Sequence, residues 1–295
     1  MEIQLDLTTT PLNLDHTLRC GQAFRWGKLG DWWYGVIRET VVKIRQINEK
    51  LEFQTFPKEV GTNLMKDYFR LDDNLPHILS QINKDEQVKR AIQNFYGLRI
   101  LRQEPWECLI SYICATNSNI PAIKNMIHNL SGMFGRKITF EGHAFYTFPK
   151  PSDLTEAHLE ELRRCRLGFR AELVLETSRT IVEGGFDLEA LREMTYEEAK
   201  RELLSRPGVG QKVADCVLLF SLDKLEAFPM DVWMKRIVLG FYSGHFEKSF
   251  IDKISCQRSL THRQYREISS FGRRYFGEYA GYAQQYLFYY ERRRS

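Results

Sequence analysis

The chain of 295 residues is 43% hydrophobic, so it can bury a substantial core in one or two domains. Its formal net charge of +4 excludes a globally cationic protein and limits any nucleic-acid footprint to a local patch. No apolar run reaches the about 18 residues that a membrane-spanning helix needs, and MEIQLDLTTT lacks the features of an export signal. We expect an intracellular protein without membrane contact, cytoplasmic or nucleoid-associated if the source is bacterial.

Short alternating runs dominate the chain from Ile3 to about Phe56. The runs WWYGVI, TVVKIR and KLEFQTF are rich in Val, Ile, Trp and Phe, and they are separated by Gly, Asn and charged turns. This pattern predicts antiparallel strands.

From Leu64 the hydrophobic period changes toward about 3.6 residues, which predicts helices. The predicted helices lie near residues 63–70, 75–82, 85–95, 104–115, 119–133, 153–163, 170–183, 188–192, 196–204, 210–221, 231–239, 262–275 and 279–291. The fold class is therefore α+β, with a small N-terminal antiparallel β-sheet domain at 1–95 and a mostly α-helical domain at 96–295. The final run, ERRRS, is basic, and such an end is more often solvated than part of a binding site.

The six cysteines are widely scattered and form no Cys-x-x-Cys pair. Their spacing argues against a zinc site and against a disulfide framework. It favours a protein that stays in a reducing compartment.

The segment from Thr195 onward has the pattern of a helix-hairpin-helix motif. Thr195–Glu198, TYEE, is a capping box that begins the first helix, and Gln211 opens the second. Between them, Pro207, Gly208 and Gly210 are expected to turn the backbone tightly and to take positive φ angles. The amides of such a hairpin can hold a phosphate.

Lys212 and Asp231 are the candidate catalytic pair. Lys212 lies in the first turn of the second helix, where the positive end of the macrodipole favours a neutral, nucleophilic amine. Asp231 follows nineteen residues later, after a Pro-Met step. An amine and a buried carboxylate together suit cleavage of an N-glycosidic bond. The residues alone leave the alternative that Lys212 is an exposed helix lysine and Asp231 an N-cap.

The hairpin is one of several ordered motifs, and together they resemble the 8-oxoguanine DNA glycosylase and AP lyase branch of the helix-hairpin-helix, Gly-Pro-Asp superfamily. The other motifs are CGQAFRW (20–26), YFRLDDNL (68–75), GLRILRQEPWECLISYICATNSNI (97–120), LGFRAE (167–172) and YAGYAQQYLF (279–288). The resemblance implies an enzyme of base-excision repair that flips 8-oxoguanine out of double-stranded DNA. Removal of the base would leave a lysine imine on the sugar, and this imine would lead to strand cleavage by β-elimination, with no cofactor required. We expect a monomer.

The resemblance also implies a pocket for the flipped base. In it, the carbonyl of Gly21 accepts the N7–H that distinguishes 8-oxoguanine from guanine. Cys216 and Phe288 sandwich the base, Gln284 reads its Watson–Crick edge, and Pro229 forms a wall. Taken singly, Cys216 and Phe288 have the character of ordinary core residues.

Further positions match the family's DNA contacts. Asn117 fills the space beside the orphaned base, and Phe169 replaces a tyrosine as the wedge that kinks the duplex. Arg170 matches an arginine that binds the opposite cytosine, but Ala122 stands where a second arginine is expected, which predicts a relaxed opposite-base preference. Trp233 replaces a histidine.

Two features of the hairpin are also implied by the resemblance. The amides at Gly208 and Gly210 would contact DNA phosphate. The backbone carbonyls of Leu204, Arg206 and Val209 would hold a cation, which only the resemblance suggests.

Two other functions remain open. One is a non-catalytic helix-hairpin-helix DNA-binding module, against which the presence of both Lys212 and Asp231 argues. The other is a glycosylase for another damaged purine. A monofunctional alkyl-purine enzyme would not need Lys212, and an adenine-removing enzyme would normally carry a cysteine cluster that this chain lacks.

Overall fold

The computed structural model describes residues 3–294. Its strands near the N-terminus are β1 (Ile3–Asp6), β2 (Gly27–Leu29), β3 (Trp32–Ile37), β4 (Thr40–Ile47) and β5 (Lys50–Phe56). They form one five-stranded antiparallel sheet in the order β1-β5-β4-β3-β2. The three strands predicted from WWYGVI, TVVKIR and KLEFQTF are its central part, and the α+β prediction is confirmed.

The alternation of the strands explains how this sheet is covered. Ile44 lies opposite Phe53 in the β4–β5 pair, and both side chains are fully buried. They pack with residues of two helices, α1 (Leu14–Arg19) and α2 (Thr62–Tyr68), in one apolar cluster. The sheet therefore has one face on a core, as its alternating sequence predicts.

The rest of the chain is mostly helical. Its helices are α3 (Leu75–Ile82), α4 (Glu86–Asn94), α5 (Pro105–Cys114), α6 (Ile120–Phe134), α7 (Pro151–Thr155), α8 (Leu159–Arg164), α9 (Arg170–Val182), α10 (Tyr196–Leu204), α11 (Gln211–Ser221), α12 (Val232–Ile237), α13 (Lys248–Ser255), α14 (His262–Phe276) and α15 (Ala280–Arg294). Two strands, β6 (Lys137–Phe140) and β7 (His143–Tyr146), form a separate antiparallel hairpin. None of the helices within residues 3–294 combines the length and apolarity needed to cross a membrane.

Helix α11 lies at the centre of the helical region. Every residue from Val213 to Ser221 is buried, and the helix packs against α5, α10 and α14. Its apolar sequence is therefore a core sequence on all sides. A helix held in this way fixes the position of its first turn, which carries Lys212.

The predicted capping box is present. The hydroxyl of Thr195 accepts a hydrogen bond from the backbone N–H of Glu198, and the Glu198 carboxylate accepts one from the backbone N–H of Thr195 at 3.0 Å. These reciprocal bonds satisfy two N–H groups at the start of α10. Helices α10 and α11 then form the predicted helix-hairpin-helix.

Some elements differ from the sequence prediction. Helix α1 lies inside the stretch predicted as strands, where the side chain of Asn13 caps it by accepting from the N–H of His16 at 2.9 Å. The stretch 153–163 is two helices, α7 and α8, and the stretch 188–192 contains only a 3₁₀ turn, Ala190–Arg192. The β6–β7 hairpin and α13 were not predicted, because each is a single short element without a long periodic pattern.

The division at residue 95 stays a prediction. Helices α3 and α4 precede it, yet their buried residues belong to the same apolar cluster as those of α15. Conversely, Leu101 follows it and packs with the sheet. The two regions thus share a tightly packed junction.

Candidate active site

The turn between α10 and α11 contains one glycine that needs its special conformation. Gly208 has a φ of +72°, and a Cβ there would lie 3.0 Å from Leu173 Cδ1. Gly210, in contrast, has a φ of −84° and open space where a Cβ would be, so the expectation of a positive φ there is wrong. It is the N-cap of α11, a position at which glycine is among the favoured residues.

Lys212 and Asp231 lie at the N-terminal ends of two helices, and the charge of Lys212 acts on the Asp231 carboxylate. Lys212 is half-buried in the first turn of α11, and Asp231 is the N-cap of α12. Asp231 Oδ1 accepts hydrogen bonds from the N–H groups of Trp233 at 3.0 Å and Met234 at 2.9 Å. The carboxylate is therefore both a helix cap and a charge with a fixed direction.

Burial has the largest effect on the pKa of Asp231 and on that of the neighbouring Cys216. Burial raises the pKa of the Asp231 carboxyl above its usual range, while the positive charge of Lys212 and the cap hydrogen bonds oppose that shift. Burial likewise raises the pKa of the Cys216 thiol, which lies one helical turn after Lys212 and stays protonated. A weakly solvated carboxylate beside an amine is suited to stabilising a developing cation.

Asp231 lines a groove with a cavity volume of about 1090 Å³. The groove runs between the Asn117 loop and the start of α6 on one side, and α12 with residues 258–260 on the other. Its basic side chains come from Arg166, Arg170, Lys235 and Arg258, whereas Asp231 is the one acid among the described residues that line it. Such a surface suits a polyanion.

Arg170 is engaged with the backbone of the Asn117 loop. Its Nε donates to the carbonyl of Thr116 at 3.0 Å, and its Nη2 also donates to that carbonyl. Nη1 donates to the carbonyl of Leu167 at 3.2 Å, and the side chain is buried. In the structure the guanidinium thus supports the loop in which Asn117 has a φ of +50°, rather than projecting freely into the groove.

Phe169 and Trp233 each adjoin in sequence a residue that lines this groove, Arg170 and Val232 respectively. Phe169 is 57% exposed, and the guanidinium of Arg170 lies 4.5 Å from the centre of its ring. Trp233 is half-buried, and Arg236 stacks over its indole at 4.8 Å. A large exposed aromatic beside a basic groove is the geometry that a wedge needs.

Two of the residues predicted to bind the flipped base lie on α15. Gln284 is buried, and its Oε1 has no hydrogen-bond partner; Phe288, one turn later, is half-buried. Pro229 is buried two residues before Asp231, and Cys216 is buried one turn after Lys212. An unpartnered buried acceptor is costly, so Gln284 Oε1 indicates a place for a donor from a ligand.

Gly21 lies beside this face of α15. Its φ is +94°, and a Cβ there would lie 2.5 Å from Arg292 Nη1 and 2.9 Å from Ile120 Cδ1. These three residues line a cavity of about 250 Å³. The guanidinium of Arg292 also stacks over Phe288 at 5.2 Å and donates to the carbonyl of Arg19 at 2.9 Å.

Comparisons with known proteins agree with this geometry. The family model for the N-terminal domain of 8-oxoguanine DNA glycosylase matches residues 4–109. The N-glycosylase/DNA lyase of Saccharomyces cerevisiae is 33% identical over 97% of this chain and 85% of the yeast protein. N-glycosylase/DNA lyase OGG1 of Arabidopsis thaliana is 32% identical over 96% of this chain and 78% of its own. The chain belongs to the N-glycosylase/DNA lyase family.

Solved structures place this family member among the 8-oxoguanine glycosylases. MBOgg1 in complex with a low-affinity DNA ligand has a TM-score of 0.89 at 35% identity, over 99% of this chain and 96% of that one. The apo-form of the Clostridium acetobutylicum 8-oxoguanine glycosylase/lyase has a TM-score of 0.87 at 33% identity, over 98% and 96% of the two chains.

Sequence reasoning missed several residues that this family member places at the site. Arg166, Lys235 and Arg258 come from three separate segments, so no basic run in the sequence reveals the groove. Arg292 was treated as part of a solvated basic end, but it is half-buried. One signal was available, since Gln284, Phe288 and Arg292 follow each other at intervals of four residues and therefore share a helix face.

The predicted cation site has no counterpart among side-chain metal sites in the described part of this N-glycosylase/DNA lyase. Among residues 3–294, no group of three or more His, Cys, Asp or Glu side chains is arranged to hold a metal ion. The predicted cation differs in kind, because backbone carbonyls would hold it. Leu204 ends α10, where the last carbonyls lack partners within the helix, and the carbonyl of Arg206 accepts from Val209 N at 3.2 Å and keeps a second lone pair.

Proposed function

We propose that this base-excision repair enzyme removes 8-oxoguanine from duplex DNA through Lys212 and Asp231, and then cleaves the strand by β-elimination. The observation that carries the assignment is the coupled pair itself. An amine at a helix N-terminus interacts electrostatically with a buried, capped carboxylate, and that carboxylate lines a basic groove. A merely structural helix cap would not need a neighbouring amine.

The chemistry proceeds in two stages. First, the amine of Lys212 bonds to C1′ while the bond from C1′ to the base nitrogen breaks, and the base leaves with that electron pair and takes up a proton. The carboxylate of Asp231 stabilises the positive charge that develops on the sugar. Next, the amine nitrogen loses a proton, and its lone pair expels the ring oxygen, which takes up a proton as the sugar opens to a protonated imine. The imine acidifies the 2′ C–H, and loss of that proton expels the 3′ phosphate.

Recognition of the lesion would rest on the Gly21 main chain. The N7–H of 8-oxoguanine donates to the Gly21 carbonyl, whereas N7 of guanine is an acceptor and is repelled by it. Gln284 Oε1, which is buried without a partner, supports this proposal because the Watson–Crick edge of the base supplies N–H donors. Cys216 and Phe288 would contact the two faces of the base, with Pro229 at its side.

A glycine-to-alanine pair tests this recognition. Gly21→Ala adds a Cβ in a strained conformation and displaces the Arg292 guanidinium, so we expect a loss of about 10-fold or more in single-turnover excision of 8-oxoguanine. Binding to a duplex with an abasic-site analogue should change much less. Gly30→Ala is the matched control, because Gly30 also has a positive φ, +59°, but open space around it. Equal losses on both ligands, or in both variants, would contradict a role in recognition.

The groove would bind the duplex around the flipped nucleotide. Asn117 fills the vacated space and Phe169 wedges the stack, while the hairpin amides at Gly208 and Gly210 contact a phosphate. The cation held by the carbonyls of Leu204, Arg206 and Val209 would bridge to that phosphate. Trp233 would contact the DNA backbone in place of the family's histidine.

We further propose that the protein works as a monomer on chromosomal DNA inside the cell. Lys212 and Asp231 both come from this one chain, so no second copy is needed to supply either residue. The Clostridium enzyme has been solved with double-stranded DNA that contains cytosine opposite 8-oxoguanine, at a TM-score of 0.85 and 33% identity. The DNA in that complex supports the proposal that this chain acts on 8-oxoguanine in double-stranded DNA.

The test of the function uses duplexes with one 8-oxoguanine opposite cytosine, adenine, guanine or thymine. We expect base loss and strand cleavage without alkali on these duplexes, and neither on the same duplex with guanine. Release of 8-oxoguanine is measured by chromatography and cleavage on a denaturing gel. Failure to release the oxidised base from any of the four would overturn the proposal.

The same four duplexes measure opposite-base preference. One charge-assisted bidentate contact to a base is worth about 1 to 3 kcal/mol of discrimination. Ala122 supplies no such contact, and Arg170 is engaged with the Thr116 carbonyl. We therefore expect the preference for cytosine to be smaller by roughly 10- to 100-fold than in a two-arginine relative. Ala122→Arg should restore part of it, and a cytosine preference above about 1000-fold in the wild type would contradict this reasoning.

A further inference from the structure

A buried polar cluster lies on α11 next to the turn that carries the proposed nucleophile. Asp215, three residues after Lys212 on α11, is fully buried. Its carboxylate accepts from Lys200 Nζ at 2.9 Å, from the hydroxyl of Tyr196 at 2.7 Å and from the hydroxyl of Tyr265 at 2.8 Å. The buried charge is therefore paired and fully hydrogen-bonded, as burial in a low dielectric requires.

Tyr265 is the member of this cluster that also contacts the segment before Asp231. While its hydroxyl donates to Asp215, its oxygen accepts from the backbone N–H of Met230 at 3.1 Å. Met230 immediately precedes Asp231. One hydroxyl thus joins the helix that carries Lys212 to the backbone that carries Asp231.

A second bond from the same helix holds the same segment. One turn after Tyr265 on α14, the hydroxyl of Ser269 donates to the carbonyl of Phe228 at 3.1 Å. Tyr265 and Ser269 are both buried, although Tyr265 also borders the groove. Helix α14 therefore fixes the backbone of residues 228–230 at two points.

We propose that Tyr265 is a positioning residue that sets the spacing between Lys212 and Asp231, with Ser269 as its support. The proposal rests on the catalytic roles given to those two residues. Bond making by the amine and charge stabilisation by the carboxylate act on the same carbon, so both groups need their positions within a fraction of an ångström. The tyrosine ring is rigid, and its hydroxyl both donates and accepts, which a shorter side chain cannot do across this gap.

Two tyrosine variants separate positioning from stability. Tyr265→Phe removes the link to Met230, and Tyr196→Phe removes the other tyrosine hydroxyl from the same carboxylate without touching the segment of Asp231. We expect Tyr265→Phe to lower single-turnover excision by about 10- to 100-fold, because displacement by about 1 Å has effects of that size. Tyr196→Phe should stay within about threefold of wild type, although both variants lose a buried hydrogen bond and should melt at lower temperatures.

The binding constant for an abasic-site duplex distinguishes a positioning role from a purely structural role. Loss of structure would weaken binding as well as excision, whereas loss of positioning would slow excision alone. It should be unchanged in Tyr265→Phe at a temperature where the variant is fully folded. Equal rates of excision in the two variants, or a wild-type rate in Tyr265→Phe, would overturn the proposal. Should Tyr265→Phe not fold, Ser269→Ala carries the test: slower excision with unchanged binding supports it, and a wild-type rate overturns it.

Failure of the proposed function gives a different result. Wild-type protein that released no 8-oxoguanine would refute the reaction itself before any variant is compared. Wild-type activity with a Tyr265→Phe rate equal to that of Tyr196→Phe would refute only the positioning role.

Discussion

Lys212→Gln is expected to abolish the covalent complex that borohydride traps between the protein and DNA containing 8-oxoguanine. Borohydride reduces an imine to a stable amine, and a glutamine amide cannot form an imine with the sugar. Gln keeps a similar length, and α11 is held by its buried residues from Val213 to Ser221, so folding should survive. The trapped complex is measured as a shifted band on a denaturing gel, and its yield should fall to background.

A lysine in the groove provides the control for this experiment. Lys235 lines the groove and donates to the backbone carbonyl of Gln257. Lys235→Gln should weaken DNA binding and reduce its salt dependence, because one cation is removed, but it should still trap at saturating protein concentration. A complex of equal yield in Lys212→Gln would assign the imine to another amine.

Much of the fold follows from local patterns in the sequence. The alternation in β3 to β5 predicts a half-buried sheet, because a one-residue shift would expose all of its apolar side chains. The capping box at Thr195 and the turn at Gly208 predict the helix-hairpin-helix, since each residue satisfies a local backbone requirement. Lys212 and Asp231 can be proposed from the sequence because the helix ends that carry them are recognisable.

The rest of the site depends on contacts between distant segments. Tyr265 meets Asp215 across 50 residues and Met230 across 35, and nothing in the sequence around it distinguishes it from a core tyrosine. The engagement of Arg170 with the Thr116 carbonyl likewise follows only from how α9 packs beside the Asn117 loop. Tertiary packing, rather than local propensity, decides such positions.

Asp231→Asn should leave the fold intact and slow base release by on the order of 100-fold or more, because the charge that faces the developing cation is lost. Asparagine is an equally good N-cap and accepts the same N–H bonds from Trp233 and Met234. Single-turnover excision of 8-oxoguanine measures the rate, and a thermal melt measures stability.

The effect of Asp231→Asn on the free energy of unfolding has a definite sign. Burial raises the pKa of Asp231 in the folded state above its ordinary value of 3.8. The protonated carboxyl therefore stabilises the fold below that ordinary pKa, and this contribution is lost as the pH rises through the folded-state pKa. At neutral pH the ionised group opposes folding, so Asp231→Asn should melt at the same temperature as the wild type or higher. Removal of a functional charge should therefore give a variant that excises the base more slowly than the wild type and is at least as stable.

The control is an aspartate cap far from the groove. Asp85 caps α4, and its Oδ1 accepts from the N–H groups of Gln87 at 2.9 Å and Val88 at 3.1 Å, much as Asp231 does for α12. Asp85→Asn should leave excision unchanged, because Asp85 does not line the groove, although its other oxygen also accepts from the hydroxyl of Tyr242 at 2.9 Å. Wild-type excision in Asp231→Asn would show that this carboxylate only caps α12. Since asparagine can accept the cap bonds in both variants, a rate loss confined to position 231 points to the loss of the charge that interacts with Lys212.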